Sequence, residues 1–248
     1  MTHDVLELMV RKLGTHAALT EDDREALAQL PYTVRTYDAG TFLAREGEAG
    51  SEHIVLLSGY TFRHKTTCFG GRQIVSMQLP GETIACSSLF FDVTDHSTQA
   101  LTPIQAATIS RIAFRNLVRG SATISHALLM MALIEAAIGN EWLLNIGRRE
   151  AKARVAHFLC EFAARVEAAG LATGGNYELP FTQEQMGDVL GLTSVHVNRT
   201  LKALRDSGLI EQIGKRVTFP DWKALARMAD FSGEYLQFDQ PRGSNATR

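Results

Sequence analysis

The sequence has little cysteine. Cys68, Cys86 and Cys160 are the only three among 248 residues, and they lie far apart. There is no CxxC pair and so no zinc-binding pattern, and an odd number argues against a disulfide framework. Unpaired cysteines are among the most buried residue types. We therefore expect free, buried thiols, and the sequence leaves a redox role for any of them open.

Motifs of common enzyme classes are also missing. The sequence contains no GxSxG, no P-loop, no HExxH and no dinucleotide-binding fingerprint, which are the local patterns of several large enzyme groups. We therefore expect no enzyme, no catalytic residues and no metal site. The sequence requires no cofactor, and whether one binds stays unknown.

Long apolar runs are missing as well. The longest candidate, residues 127–138, is interrupted by Glu135 and falls short of the roughly 18 residues that a membrane span needs. The region after Met1 has no apolar segment typical of a signal peptide. We therefore expect a soluble cytoplasmic protein without a membrane partner.

The charge is small overall but unevenly distributed. The chain has 25 Lys and Arg against 27 Asp and Glu, which gives a net charge of −2. Residues 1–146 carry 11 basic and 15 acidic side chains, whereas residues 147–248 carry 14 and 12. The stretch 194–216 alone has five basic and two acidic residues. A local basic excess is compatible with a surface that contacts nucleic acid.

The pattern of apolar and turn-forming residues changes along the chain. The length of the chain suits two domains. Residues 1–30 have helical apolar spacing, and Thr20 begins a helix with acidic residues in its first turn. Between Tyr32 and Ala113, short apolar runs alternate with glycine-containing turn signals. Evenly spaced short strands predict an antiparallel roll or barrel.

A long helix is predicted from Ser121 onwards, because residues 127–138 are apolar on every side apart from Glu135. One set of positions follows the alternating spacing of four and three residues that is typical of a coiled-coil seam. These positions are Ile124, Leu128, Met131, Glu135, Ile138 and Trp142. We expect them to form a dimer interface; the alternative is the core helix of one monomer. Gly147 marks a predicted hinge within residues 145–149.

The stretch FTQEQMGDVLGLTSVHVNRTLKALRDSGLI, residues 181–210, predicts two short helices joined by a tight turn. Thr182 and Gln185 have the spacing of a capping box, Gly191 ends the first helix, and Thr193 can cap the second. Two helices with such a turn are typical of a helix-turn-helix unit.

The second helix has two contrasting faces. At about 100° per residue, Val197, Leu201 and Leu204 define the side that should be buried. Arginine can read guanine, asparagine can read adenine, and valine can touch a thymine methyl group in a major groove. Lys202, Ser194 and His196 suit phosphates. The predicted DNA contacts are Thr182, Thr193, Ser194, Val195, His196, Asn198, Arg199, Lys202, Lys215 and Arg216. An ordinary solvated helix face is the alternative.

Downstream residues predict a wing. The segment GLIEQIGKRVTFPD has the pattern of strand, turn at Gly214–Lys215 and strand, and it places Lys215 and Arg216 at the tip of a hairpin. A closing helix follows in DWKALARMAD. The tail from Ser232 is polar, and we expect it to be loose.

This order of elements, together with LTSVHVNRTLKALRDSGLI, resembles the Crp/Fnr family of bacterial transcription regulators over about residues 6–228. The resemblance implies an α+β fold with an N-terminal antiparallel β-roll of the jelly-roll, cyclic-nucleotide-binding-like kind, a long dimerisation helix and a C-terminal winged helix-turn-helix. The implied domains are residues 1–120, 121–147 and 148–230, followed by a tail at 231–248. It further implies a homodimer on a palindromic site in double-stranded DNA, with RNA polymerase and a small-molecule effector as further partners.

Single residues can be compared with the family pattern. Arg199 matches the arginine that reads guanine in most members, whereas Ser194 and Val195 match positions that often carry Arg and Glu. Because valine cannot accept a hydrogen bond from cytosine, we expect this chain to prefer a DNA sequence that departs from the familiar one.

The resemblance places an effector pocket at Ala85, Cys86, Ser87, His96 and Ser97. The family's cyclic-nucleotide site has a Gly-Glu pair and an Arg-Ser pair where this chain has Ala85-Cys86 and His96-Ser97, and residues 73–110 contain no Lys or Arg. A cyclic phosphate needs hydrogen-bond donors and usually a cation. We therefore expect an unknown effector other than a standard cyclic nucleotide. The iron–sulfur cluster of the Fnr branch needs four cysteines. This chain has three, with none before Cys68, so we expect no such cluster. Haem bound through a histidine and a redox pair of Cys86 and His96 stay open.

Two other kinds of function compete with a DNA-binding regulator. One is a ligand-binding signalling module that acts through protein contacts of its C-terminal domain. The other is an enzyme in the roll, which would need metal ligands such as His53, His64 and His96, the only histidines in the predicted roll.

Overall fold

The structure is a computed structural model that describes residues 5–50, 52–84, 89–172 and 175–238. The chain divides into two compact units. The described part of the first comprises residues 5–50, 52–65, 76–84 and 89–135, and that of the second comprises residues 66–75, 136–172 and 175–238.

Two short helices begin the first unit, as the sequence predicts. They are α1 (Glu7–Gly14) and α2 (Glu21–Ala28). Thr20 caps α2 in a reciprocal arrangement: its Oγ1 accepts a hydrogen bond from the Asp23 backbone N–H, and Asp23 Oδ2 accepts one from the Thr20 N–H. Such a cap uses donors that would otherwise be unpaired at the start of a helix.

A roll follows, with eight short strands among its described residues, which confirms the predicted antiparallel β-roll. The strands are β1 (Tyr32–Tyr37), β2 (Phe42–Ala44), β3 (Glu52–Ser58), β4 (Thr61–Thr66), β5 (Arg72–Gln78), β6 (Thr83–Ile84), β7 (Ser97–Ala100) and β8 (Ile104–Ser110). They form two four-stranded sheets with the orders β1-β8-β3-β6 and β2-β7-β4-β5. Most strands that follow each other in sequence are therefore not adjacent in a sheet, as in a jelly roll.

A helix that the sequence pattern did not show follows the roll directly. Helix α3 (Arg111–Gly120) begins immediately after β8, and the Ser110 hydroxyl accepts a hydrogen bond from the Ala113 backbone N–H. Phe114 of α3 is fully buried and stacks on the buried His53 ring. Phe114 belongs to an apolar core that α1, α2 and the start of the long helix complete.

The long helix α4 (Ala122–Arg148) is continuous. The Ser121 hydroxyl accepts a hydrogen bond from the Ile124 N–H and donates one to Asp23 Oδ1 at 2.6 Å. By length and composition alone, α4 is apolar enough to cross a membrane. The core helix of a soluble protein meets the same two criteria, so the expectation of no membrane span stays a prediction.

The structure contradicts the predicted dimer seam at three of its six positions. Ile124, Leu128 and Trp142 are at most 6% exposed and pack inside the chain's own units. Met131 packs on the core of the first unit. Glu135 accepts a hydrogen bond from Ser76. Ile138 is half-buried on the same side of the helix. Ile124, Leu128 and Trp142 therefore face the chain's own interior, whereas the Glu135 side chain is still 42% exposed.

The second unit contains the end of α4 and the predicted C-terminal elements. They are α5 (Ala151–Ala168), β9 (Tyr177–Glu178), α6 (Gln183–Leu190), α7 (Ser194–Asp206), β10 (Glu211–Ile213), β11 (Arg216–Thr218) and α8 (Trp222–Ala229). The strands pair in the order β10-β11-β9. Gly147 does not break α4; the chain leaves the helix at residues 149–150, where Glu150 is extended.

The expectation of a loose tail is wrong for residues 232–238. Residues Gly233–Leu236 form a 3₁₀ turn, and Leu236 is only 3% exposed. The Tyr235 hydroxyl donates a hydrogen bond to Glu161 Oε2 at 2.8 Å. An apolar anchor and a buried polar contact thus attach this segment to α5. Residues 239–248 lie outside the described part of the chain.

Candidate nucleic-acid interface

The turn between α6 and α7 has the geometry that the sequence predicts. The Thr182 hydroxyl accepts a hydrogen bond from the Gln185 N–H at 3.1 Å, and Gln185 Oε1 accepts one from the Thr182 N–H at 2.9 Å. Gly191 ends α6 in the left-handed region at φ +62°, which L side chains rarely adopt. The Thr193 hydroxyl then caps α7 by accepting from the His196 N–H at 3.2 Å.

Gly187 is essential to this turn, and the sequence reading missed it. A Cβ atom at Gly187 would lie 2.5 Å from the Leu192 carbonyl oxygen, closer than a carbon and an oxygen can approach. Leu192 N–H also donates to the Gly187 carbonyl at 3.1 Å. A glycine four residues before the one at the turn is the signal that could have revealed this close approach.

Helix α7 separates a buried side from an exposed side. Val197, Leu201 and Leu204 are at most 2% exposed. Asn198, Arg199 and Lys202 are exposed, as is Val195, of which 76% is accessible. The predicted angular arrangement is therefore confirmed, and an apolar side chain is held in solvent beside a cation and an amide.

Three exposed polar residues of α7 have no competing role within the described part of the chain. Among the described residues, Asn198, Arg199 and Lys202 take part in no side-chain hydrogen bond or ion pair. Arg205 of the same helix differs, because its Nη1 donates to Gln212 Oε1 at 2.9 Å. Arg205 thus fixes the wing to α7, whereas Arg199 remains available to an external acceptor.

The other predicted DNA contacts surround this face. Ser194 is exposed and His196 is half-buried. Thr182 and Thr193 are also exposed, and since their oxygen atoms accept capping bonds, each hydroxyl still has its O–H to donate. The residues lie at the N-terminal ends of α6 and α7, where helix dipoles favour an anion such as phosphate.

A two-residue turn forms the tip of the wing. Ile213 pairs with Arg216 across the hairpin, so Gly214 and Lys215 make the turn, as predicted, with Gly214 at φ +61°. Lys215 and Arg216 are exposed. Ile213 is 84% exposed, which the sequence reading did not anticipate, and it adds an apolar side chain to a basic tip.

Polar contacts hold α6 against the hinge. Arg154 Nη1 donates to the Leu190 carbonyl at 2.8 Å, and its Nη2 donates to the Arg149 carbonyl at 3.0 Å. One guanidinium thus joins the end of α6 to the residue that follows α4. Because α6 carries α7, this contact helps to set the direction in which the exposed face of α7 points.

Two domain families match the chain. Residues 153–228 match the Crp-like helix-turn-helix domain, and residues 34–121 match the cyclic nucleotide-binding domain. The nitrogen fixation regulation protein FixK of Rhizobium meliloti is 30% identical over 182 residues, which cover 73% of this chain and 79% of FixK. The transcriptional activator protein FnrL of Cereibacter sphaeroides is 29% identical over 213 residues, or 84% of each chain.

The chain belongs to the Crp/Fnr family of transcription regulators. Among solved structures, FixK2 from Bradyrhizobium japonicum has the same fold, with a TM-score of 0.74 and 24% sequence identity, and the match covers 80% of this chain and 98% of FixK2. The predicted function is confirmed at this level: the chain is a DNA-binding transcription regulator.

The predicted effector residues of this Crp/Fnr regulator are only partly described. Ala85, Cys86 and Ser87 lie outside the described residues. His96 is buried, and its Nδ1 lies 2.7 Å from Asp95 Oδ1. Burial lowers the pKa of His96, and the nearby Arg63 guanidinium lowers it further. Ser97 has its hydroxyl bound to the Glu46 N–H at 3.1 Å. Arg63 is therefore a cation near this region, although residues 73–110 themselves contain no Lys or Arg.

The histidines of the roll do not converge on a metal site in the described part of the chain. No group of three or more His, Cys, Asp or Glu residues that could hold a metal ion occurs there. His64 contacts the rings of Phe42 and Phe62. The two described cysteines differ from each other: Cys68 is exposed, contrary to expectation, whereas Cys160 is buried, and burial raises its thiol pKa to about 12.

Proposed function

We propose that this regulator binds a palindromic DNA site as a homodimer, with one α7 helix in each of two successive major grooves roughly 34 Å apart. The observation that carries the proposal is the exposed face of α7. Arg199 and Asn198 are held outward by a buried apolar side and have no partner among the described residues. Side chains with this chemistry are the ones that read base edges.

A second copy of the chain is the partner that fits α4. One side of the helix is exposed along its whole length, and its residues repeat at alternating intervals of four and three. We call these residues the α4 stripe. They are Ala122, His126, Leu129, Leu133, Ala136, Asn140, Leu143 and Gly147.

The α4 stripe has the composition of a two-stranded seam. Leu129, Leu133 and Leu143 are 56%, 54% and 71% exposed, which leaves a continuous apolar surface in water unless it is covered. Alternating spacing lets two copies of one helix interlock around a twofold axis, and a polar Asn140 within the stripe would fix their register. A twofold axis also generates the two equivalent α7 helices that a palindrome requires.

The predicted DNA contacts divide by role. Arg199 donates to guanine, Asn198 pairs with adenine, and Val195 touches a thymine methyl group. Phosphate contacts come from Lys202 and from residues at the helix starts and the wing. These positioning residues are Thr182, Thr193, Ser194, His196, Lys215 and Arg216.

The remaining parts of the proposal concern the sensor and the partners. We propose that residues 1–120 sense an effector other than a standard cyclic nucleotide, and that residues 121–147, 148–230 and 231–248 serve as dimerisation helix, DNA-binding domain and tail. The effector acts by shifting the population of arrangements of the dimer. The regulator works in the cytoplasm and contacts RNA polymerase there when it activates transcription.

Selection of bound sequences from random duplexes tests the proposal. We expect an enriched palindrome whose half-sites are one helical turn apart, and an affinity that falls steeply with salt because phosphate contacts release counterions. A single enriched half-site would contradict dimeric binding. Failure to enrich any sequence would favour the alternative, a signalling module that acts through protein contacts.

A further inference from the structure

A row of polar side chains crosses the buried face of one sheet of the roll. Arg63 of β4 is directly opposite Thr98 of β7 in the strand register, so both side chains lie on the same face. On the other side of Arg63, its Nη2 donates to the hydroxyl of Ser76 in β5 at 3.2 Å. Thr98 is fully buried, and the Arg63 side chain is only 18% exposed.

Neighbouring residues hold this row in place. Gln78, which is 2% exposed, donates through Nε2 to the Ser76 hydroxyl at 2.9 Å. Its Oε1 accepts a hydrogen bond from the Thr61 hydroxyl at 3.0 Å. The amide of Gln78 is thus oriented from both ends, and Ser76 is supplied with two donors. A hydroxyl that accepts twice must direct its own O–H elsewhere.

That O–H points to a carboxylate of the long helix. Ser76 donates to Glu135 Oε1 at 3.0 Å, and Arg63 Nη2 forms an ion pair with the same oxygen. Residues 61–65, 76–78 and 135 belong to the same compact unit. Glu135 therefore supplies negative charge to this row from α4.

Thr98 adds an unused donor to the row. Among the described residues, Thr98 Oγ1 is buried and has no hydrogen-bond partner. A buried polar atom without a partner is costly in a folded protein. A carboxylate that replaces Glu135 at Arg63 can therefore take this additional donor.

We propose that Arg63, Ser76 and Thr98 form an anion-binding site inside the roll, and that the Glu135 carboxylate is its built-in occupant. The ligand class is a small carboxylate, because a planar guanidinium flanked by hydroxyl donors matches two carboxylate oxygens. The tethered Glu135 has a high effective concentration at the site, so it holds α4 on the roll without an external ligand. This inference does not depend on how the protein binds DNA.

Removal of the tethered carboxylate gives a direct test with acetate as the probe. We expect Glu135→Ala to lower the Tm of the full-length protein. Sodium acetate should then raise that Tm by several degrees and in a saturable manner, relative to sodium chloride of equal ionic strength. Wild type should show no difference between the two salts, since its own carboxylate fills the site. The double variant Arg63→Met/Glu135→Ala should also show none.

Two results would overturn the proposal. One is an acetate effect on Glu135→Ala that is no larger than on wild type. The other is an equal effect on the double variant, which would place acetate elsewhere. If Glu135→Ala does not fold, a second test compares the Tm losses of three variants. These are Arg63→Met, Glu135→Gln and the double variant that combines them. A Tm loss in the combination that is smaller than the sum of the two supports the pair, and simple addition contradicts it.

Discussion

The indole Nε1 of Trp142 lies 2.9 Å from both carboxylate oxygens of Glu161, which joins the last part of α4 to α5. Glu161 is 1% exposed and also accepts the Tyr235 hydroxyl. Burial raises the pKa of this carboxyl group, although Arg165 and the two donors oppose the shift. Donors from two other segments, Trp142 and Tyr235, together with Arg165 of the same helix, therefore accommodate a buried acidic group in α5.

Trp142→Phe should destabilise the second unit, because it leaves Glu161 buried with one donor fewer. Loss of a hydrogen bond to a buried polar group costs about 1–3 kcal/mol. Chemical denaturation, followed by far-ultraviolet circular dichroism, measures the change. Trp222→Phe is the matched control, since Trp222 is 37% exposed and should cost much less. Equal losses in both variants would mean that the indole of Trp142 contributes only its volume.

His157 should make the second unit sensitive to acid. Its pKa is lowered from 6.5 to about 3, mainly by burial and also by the Arg149 charge, while Asp230 acts in the opposite direction. Its Nε2 lies 3.2 Å from Glu141 Oε1. Because the folded-state pKa is below the unfolded-state value, the unfolded chain binds the proton first. The stability from neutral His157 is complete above about pH 6.5 and is lost as the pH falls towards 3.

The free energy of unfolding of wild type should therefore fall faster than that of His157→Phe between pH 6.5 and 4. The extra slope approaches about 1.4 kcal/mol per pH unit. The raised pKa of Glu161 gives a slope of the opposite sign, but it is common to both proteins and cancels in the difference. Between pH 7.5 and 8.5 the two curves should run parallel. Parallel curves at acid pH as well would show that His157 is protonated in the folded protein.

Much of the DNA-binding unit could be predicted from sequence because its signals are local. The capping box of Thr182, the turn at Gly191 and the hairpin turn at Gly214 each depend on a few adjacent residues. The buried side of α7 follows from three apolar positions with helical spacing. In such elements the periodicity and the turn chemistry agree with the tertiary structure.

The predictions from sequence fail where contacts between distant parts of the chain determine the structure. Helix α4 is apolar on most sides, so two seams with the same spacing fit it, and only its packing shows that Leu128 is buried and Leu129 exposed. The place of Arg63 beside Thr98 depends on strand register between distant segments. The tail residue Tyr235 finds its partner 74 positions earlier in the chain. None of these contacts leaves a pattern in a short window of sequence.

The α4 stripe gives a test of the dimer. Leu133→Asp should place two carboxylates across the twofold axis and shift the protein to monomers, because the seam would bury them without a partner. Sedimentation over a range of concentrations measures the change. Ile112→Asp is the matched control, since Ile112 is 63% exposed on α3, and it should leave the dimer intact. A Leu133→Asp protein that stays dimeric would place the interface elsewhere.

Glu135→Leu separates the two possible registers of α4. In the predicted seam, leucine at this position would tighten the dimer. In the structure, Glu135 contacts Ser76 and Arg63 of the same chain, so we expect no gain in dimer affinity and a less stable roll. If the Glu135→Leu dimer dissociates less on dilution than the wild-type dimer, the predicted seam through Glu135 is supported instead.

Selection of bound DNA by Arg199→Ala and Lys202→Ala tests the central claim, that the outward face of α7 reads a base sequence. Both side chains are exposed on the same helix, so each serves as the control for the other. Arg199→Ala should lose about 1–3 kcal/mol on the selected site and relax preference at one base position in each half-site. Lys202→Ala should weaken binding to all DNA sequences alike. It should also reduce the salt dependence of the affinity by the amount expected for about one lost phosphate contact. Equal losses of Arg199→Ala on selected and random DNA, with unchanged base preference, would contradict the account.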